Sequence, residues 1–131
     1  MNIGQASTLS HLPAKTIRYY EDIKLIMPSR AENGYRDYSD KDIHTLKFLQ
    51  RARSLGFTID ECRQLLSLYK DEKRASSDVK TLALEKVEQI ELKIEELKSL
   101  RNTLSSLANS CQGDGRPGCP IIDDLSGKNN E

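Results

Sequence analysis

Two of the three cysteines, Cys111 and Cys119, flank the stretch Gln-Gly-Asp-Gly-Arg-Pro-Gly, and Pro120-Ile-Ile follows. Two thiols at the ends of so short a loop can close a disulfide, remain free, or hold a soft metal ion. A disulfide is sterically possible there but labile in a reducing compartment. Idle thiols leave Gly113, Gly115, Pro117 and Gly118 unexplained, because those residues turn the chain back on itself. A metal site accounts for both the thiols and the turn. Counting donors narrows the ion. Zinc takes four ligands from Cys, His or carboxylate, whereas His11 and His44 stand in the other half of the chain and Asp114, Asp123 and Asp124 are hard oxygen donors. Two thiolates alone suit a monovalent d10 ion in linear coordination: Cu(I), with Ag(I) and Au(I) as mimics. Thiolate is the binding form, so affinity for such an ion rises with pH. Cys62, remote from the loop, reads as a structural cysteine.

The loop needs something long to stand on. From Asp78 to Ala108 the chain has no proline or glycine, and Ala83, Ile90, Leu97 and Leu104 recur every seven residues. Val87, Ile94 and Ala108 fill the interleaved positions, with Arg101 as the exception. This heptad seam predicts a dimerisation coiled coil over 78–108, because the stripe is too long for a small N-terminal unit to cover. Residues 70–77 form a polar connector, 109–125 the metal-binding loop with a short C-terminal helix, and 126–131 a tail.

Upstream, residues 1–69 read as a winged helix-turn-helix. Two short helices occupy about 3–23, with Pro13 placed in the first turn of the second helix, where a missing N–H costs nothing. A hairpin wing over about 30–38 has Asn33-Gly34 at its centre, the pair favoured in a two-residue turn. Ser39 with Asp42, and Thr58 with Glu61, cap two further helices. The fold class is therefore mainly α. The expected DNA contacts are Lys15, Arg18 and Tyr19 on one face of the second helix, with Tyr20, Arg30, Asn33, Tyr35, Arg36 and Arg53 around them. Tyr38 reads as core. Of 131 residues 37% are apolar and 31% charged, at zero net charge. Residues 1–70 carry 11 Lys/Arg against 8 Asp/Glu, and residues 71–131 carry 9 against 12, so the basic excess lies with the DNA-reading half. No apolar run is long enough to span a membrane. Residues 1–10 lack the pattern of a signal peptide, so the expected compartment is the cytoplasm.

Ile17-Arg-Tyr-Tyr-Glu21, Asn33-Gly-Tyr-Arg36 with Tyr38, and Ala52-Arg-Ser-Leu-Gly-Phe57 resemble the signature of MerR-family transcription regulators over nearly the whole chain. Cys111 and Cys119, followed by Pro120-Ile-Ile, resemble the copper-efflux subgroup. The resemblance implies a homodimer joined by an antiparallel coiled coil. It also implies a double-stranded promoter whose −35 and −10 elements are too far apart, distorted by the metal form so that RNA polymerase engages. Members that sense divalent ions place a further cysteine at the start of the long helix. Here the matching position is Ser76, or Ser77 one residue on, which favours a monovalent ion. Lys80, a turn later, would offset the negative charge of a two-thiolate site. Ile121 and Ile122 would shield it from water.

Two rival functions compete with the regulator. In a cytoplasmic Cu(I) buffer or carrier, the helices are only a scaffold. A thiol redox sensor wants cations beside the pair, and Arg116 alone is near in sequence. No paired carboxylates, Ser/His/Asp set or phosphate loop point to an enzyme.

Overall fold

The computed structural model describes residues 1–115 and 117–127; Arg116 and most of the expected tail, 128–131, lie outside the described residues. α1 spans Ile3–Ser10 and starts because Asn2 and Gln5 cap one another: Gln5 N–H donates to Asn2 Oδ1 at 2.8 Å, and Asn2 N–H to Gln5 Oε1 at 2.9 Å. His11 ends it in the left-handed region, φ 60°. α2 spans Ala14–Asp22. Pro13 is its N-cap, with φ −59° and ψ 145°, one residue earlier than the first-turn position the sequence suggested. The extended ψ at Pro13 lets the chain enter α2 from the turn at His11.

The wing is smaller than expected. β1 (Ser29–Arg30) pairs antiparallel with β2 (Arg36–Asp37), Ser29 opposite Asp37 and Arg30 opposite Arg36. The turn is not the two-residue Asn-Gly type. Ala31 N–H donates to Tyr35 O at 2.8 Å and Gly34 N–H to Ala31 O at 2.9 Å, so three residues cross over. Within the turn only Gly34 has positive φ, at 83°. Asn33 instead turns its side chain inward, its Oδ1 accepting the Tyr35 N–H at 3.1 Å. That bond supplies the closure a second left-handed residue would otherwise give.

α3 (Asp40–Ser54) and α4 (Ile59–Lys70) begin at the Ser39/Asp42 and Thr58/Glu61 capping boxes. Gly56, at φ 93°, makes the bend between them, and Arg53 Nη1 clamps it by donating to Phe57 O at 2.7 Å. α5 runs from Ser76 to Ser110, 35 residues, so it extends two residues beyond the expected helix at each end. At 1.5 Å per residue it is about 52 Å long. α6 is Pro120–Leu125, with Pro120 in its first turn.

The chain forms two compact units, Met1–Ala83 and Leu84–Glu131. In the first, α3 packs on α1 and α4, and α1 on α2. Ala6, Ile17, Tyr20, Tyr38, Leu46, Leu49, Cys62 and Leu66 form the heart of its core. Met1 joins the chain start to the wing: its ammonium donates to Asp37 Oδ1 at 2.7 Å and to Tyr38 O at 2.9 Å. In the second unit the heptad residues Val87, Ile90, Ile94, Leu97 and Leu104 stay 41–61% exposed. The one buried residue among those described in α5 is Lys86, whose Nζ donates to Gln89 Oε1 at 2.7 Å. Among the described residues, no helix is long and apolar enough to cross a membrane.

Cys62 is fully buried on α4, with Sγ 3.9 Å from the Phe57 carbonyl. A serine there puts a more strongly hydrated hydroxyl into an apolar site. Cys62→Ser is expected to cost about 1–3 kcal/mol in denaturant unfolding, with the helical circular dichroism of the native state unchanged.

Candidate nucleic-acid interface and metal centre

α2 divides its residues by face. Ile17 and Tyr20 point into the core, while Lys15, Arg18 and Tyr19 are exposed together on the outside, three and four residues apart. Tyr20 therefore departs from the expected contact set. It is only 4% exposed, and burial raises the pKa of its hydroxyl, with Arg53 acting the other way. Its ring packs under α2 and is not offered to solvent. Tyr35 and Asn33 stand exposed on the wing turn.

Glu21, on α2, organises the wing. Arg36 Nε makes a hydrogen-bonded ion pair with Glu21 Oε2, and Arg30 Nη2 lies 3.7 Å from Glu21 Oε1. The hydrogen bond from Glu21 raises the Arg36 pKa further, so the guanidinium stays charged. Arg30 Nη1 also donates to Gly34 O at 3.1 Å, across the turn. Both wing arginines, expected as DNA contacts, thus brace the hairpin against α2. Tyr38 is buried just after β2, and its hydroxyl finds no hydrogen-bond partner among the described residues. Burial, with the Glu21 charge next, raises its pKa. Nothing in the sequence around Glu21 assigns it this role. An acid in a basic patch was the available signal, but its partners lie beyond any local spacing.

At the end of α5 the two thiols come together. All three cysteines are free, with Cys62 buried and Cys111 and Cys119 half-buried. Cys111 and Cys119 share a hydrogen bond that raises the Cys111 pKa, partly offset by the Gly113 amide. Cys119 is the N-cap of α6. Its pKa is lowered first by the Ile122 amide, then by the bond from Cys111, with the Ile121 amide adding to both. These amides approach Sγ without completing a regular cap bond. The arrangement makes Cys119 the better thiolate and Cys111 the proton donor. Ile121 is half-buried, whereas Ile122 is 59% exposed in the single chain. Arg116, the cation expected near the pair, lies outside the described residues. Among the described residues no cluster of three or more His, Cys, Asp or Glu is placed to hold a metal ion. The two adjacent soft sulfurs of Cys111 and Cys119 could hold a thiophilic ion of low coordination number.

Two family models together match residues 1–107: the MerR HTH family regulatory protein model residues 1–68, and the MerR, DNA binding model residues 43–107. The chain belongs to the MerR family. It is 59% identical to the transcriptional regulator HmrR of Rhizobium leguminosarum bv. viciae over 126 residues, spanning 96% of this chain and 98% of that protein. It is 48% identical to the regulator CueR of Salmonella typhimurium over 128 residues, 97% of this chain and 93% of that one. In three dimensions it resembles the lead(II) complex of PbrR691 from Ralstonia metallidurans, with a TM-score of 0.82 at 31% identity, covering 95% of this chain and 98% of that one. These relatives are transcription regulators, not enzymes. MerR-family regulators bind promoter DNA as dimers.

Two measurements follow from the geometry. Glu21→Gln leaves two wing arginines without their counter-charge and should lower stability by on the order of 1 kcal/mol in denaturant unfolding. For the thiols, a lower pKa means more thiolate at a given pH. In the metal-free protein near neutral pH, limiting iodoacetamide should label Cys119 ahead of Cys111, and buried Cys62 last, by mass spectrometry of the peptides.

Proposed function

We propose that this MerR-family protein is a cytoplasmic Cu(I)-responsive activator of copper-efflux or detoxification genes, with Ag(I) and Au(I) as mimics. The adjacent thiol pair carries the reading. Cys111 and Cys119 are already within hydrogen-bond reach of one another, and a soft monovalent ion suits two thiolates without further donors. The similarity to CueR and HmrR supports the same choice. Cys111 and Cys119 would hold the ion as thiolates, and it would supply a soft acceptor for both sulfurs. Cys119 enters as the readier thiolate and Cys111 gives up its proton, so binding strengthens as pH rises.

The remaining steps belong to the chain. Holding Cys111 to Cys119 orders the loop and the segment 120–125 at the end of α5. In a dimer that change reaches the two DNA-reading heads and shifts them relative to each other. Lys15, Arg18 and Tyr19 would then hold groove and backbone, with Asn33, Tyr35, Arg30, Arg36 and Arg53 alongside. The metal form bends and untwists an overlong promoter so that RNA polymerase engages. Bends of 40–90° cost on the order of 1–6 kcal/mol, so deformation energy rather than a change in affinity sets the response.

Run-off transcription from a long-spacer promoter, titrated under reducing conditions with Cu(I), Zn(II) and Hg(II), tests the proposal. Activation by Cu(I) that disappears in Cys111→Ser/Cys119→Ser is expected. Activation by Zn(II) and not Cu(I) would refute the ion assignment, and a copper response surviving the double substitution would refute the site.

A further inference from the structure

One buried polar group is left over at the reading end. Tyr38 is 1% exposed, and its hydroxyl is buried without a hydrogen-bond partner among the described residues. Its N–H donates to Met1 O at 2.8 Å, which fixes where the ring enters the core. An unpaired hydroxyl in a dry site is destabilising, and folded proteins keep few of them.

The charged groups acting on that hydroxyl are Glu21, Arg36, Arg18 and Asp42. The two guanidiniums are donors only, so neither can accept the hydroxyl proton. Asp42 is engaged in the cap of α3, its Oδ2 accepting the Ser39 N–H at 2.9 Å. Glu21 is the remaining acceptor, with its side chain 16% exposed and its Oε2 taken by Arg36. Tyr38 and Arg36 therefore compete for one carboxylate, and in the free protein the cation holds it.

We propose that Tyr38 is the replacement partner of Glu21: when Arg36 leaves the carboxylate for a DNA phosphate, the Tyr38 hydroxyl donates to Glu21 in its place. The inference rests on the reading of Arg36 as a DNA contact. A mostly buried carboxylate abandoned by its cation is unfavourable, and that penalty alone would keep Arg36 on Glu21 and away from DNA. The exchange removes the penalty and satisfies the orphan hydroxyl in the same step. No proton is transferred; only hydrogen-bond partners change. Arg30 Nη2, 3.7 Å from Glu21 Oε1, stays to brace the hairpin while Arg36 moves. Tyr38 is thus a positioning residue. It touches no DNA, and it frees the guanidinium that does.

Tyr38→Phe removes the hydroxyl and keeps the ring. Binding to a mixed-sequence DNA duplex at low salt, read by fluorescence anisotropy, should weaken about tenfold. The urea midpoint of the free protein should stay level or rise, because the lost hydroxyl had no partner. A falling midpoint would mean that the hydroxyl is partnered without DNA, and overturns the proposal. In an Arg36→Ala background, Glu21 is open to the hydroxyl with or without DNA, so Tyr38→Phe should change affinity there by less than about twofold. An equal loss in both backgrounds overturns the exchange. So does a Tyr38→Phe protein that binds like the parent while Arg36→Ala binds more weakly, a result that leaves Arg36 as a contact. An Arg36→Ala protein that binds as tightly as the parent overturns the contact reading itself. NMR of protein isotope-labelled at tyrosine Cζ reads the hydroxyl directly. The Tyr38 resonance should shift when DNA is added, and should already stand at the shifted position in DNA-free Arg36→Ala; a resonance unmoved in both refutes the exchange.

Discussion

A helix of 35 residues whose heptad face lies open to water is the constraint behind this protein. Helices draw most of their stability from packing an amphipathic face, and α5 has an apolar stripe that its own unit leaves exposed. Covering it with a second copy gives the family's dimeric form its physical reason. It also sets the geometry in which two DNA-reading units act together.

The two functional ends are each held by polar contacts between residues far apart in sequence. At the reading end, Glu21 on α2 holds Arg36 and Arg30 of the wing, so the hairpin angle depends on a carboxylate fifteen positions from one of its partners. A two-stranded ribbon is marginal alone. This one is tied down by that bridge, by the Met1 ammonium on Asp37 and by the burial of Tyr38. At the sensing end, the start of α6 brings two backbone amides near Cys119 and makes the pair unequal. Cys119 is the more acidic thiol and Cys111 the less acidic, so an ion that took both sulfurs would displace their protons.

Much of the fold was legible because it is encoded locally. Capping boxes at Ser39/Asp42 and Thr58/Glu61, the glycine at 56 and the unbroken heptads after Asp78 each act within a turn or two of themselves, and α3, α4 and α5 follow them. The same locality misled at the wing. Asn33-Gly34 is the usual signature of a two-residue turn, but Asn33 used its side chain on the Tyr35 amide, and three residues cross over. Tyr20 also escaped. Its neighbour Tyr19 has the same chemistry, and only packing against the core decides which ring faces water.

The sequence by itself determined the order of elements, the exposed face of α2 and the proximity of two thiols across a turning loop. Those follow from periodicity, capping and chain length, which short stretches carry. Tertiary structure decided that the wing arginines brace as well as carry charge, that Tyr20 is core, and that Cys119 is the more acidic thiol. Each depends on which groups distant segments bring within a few ångströms and on how much water they exclude, quantities that no window of sequence contains.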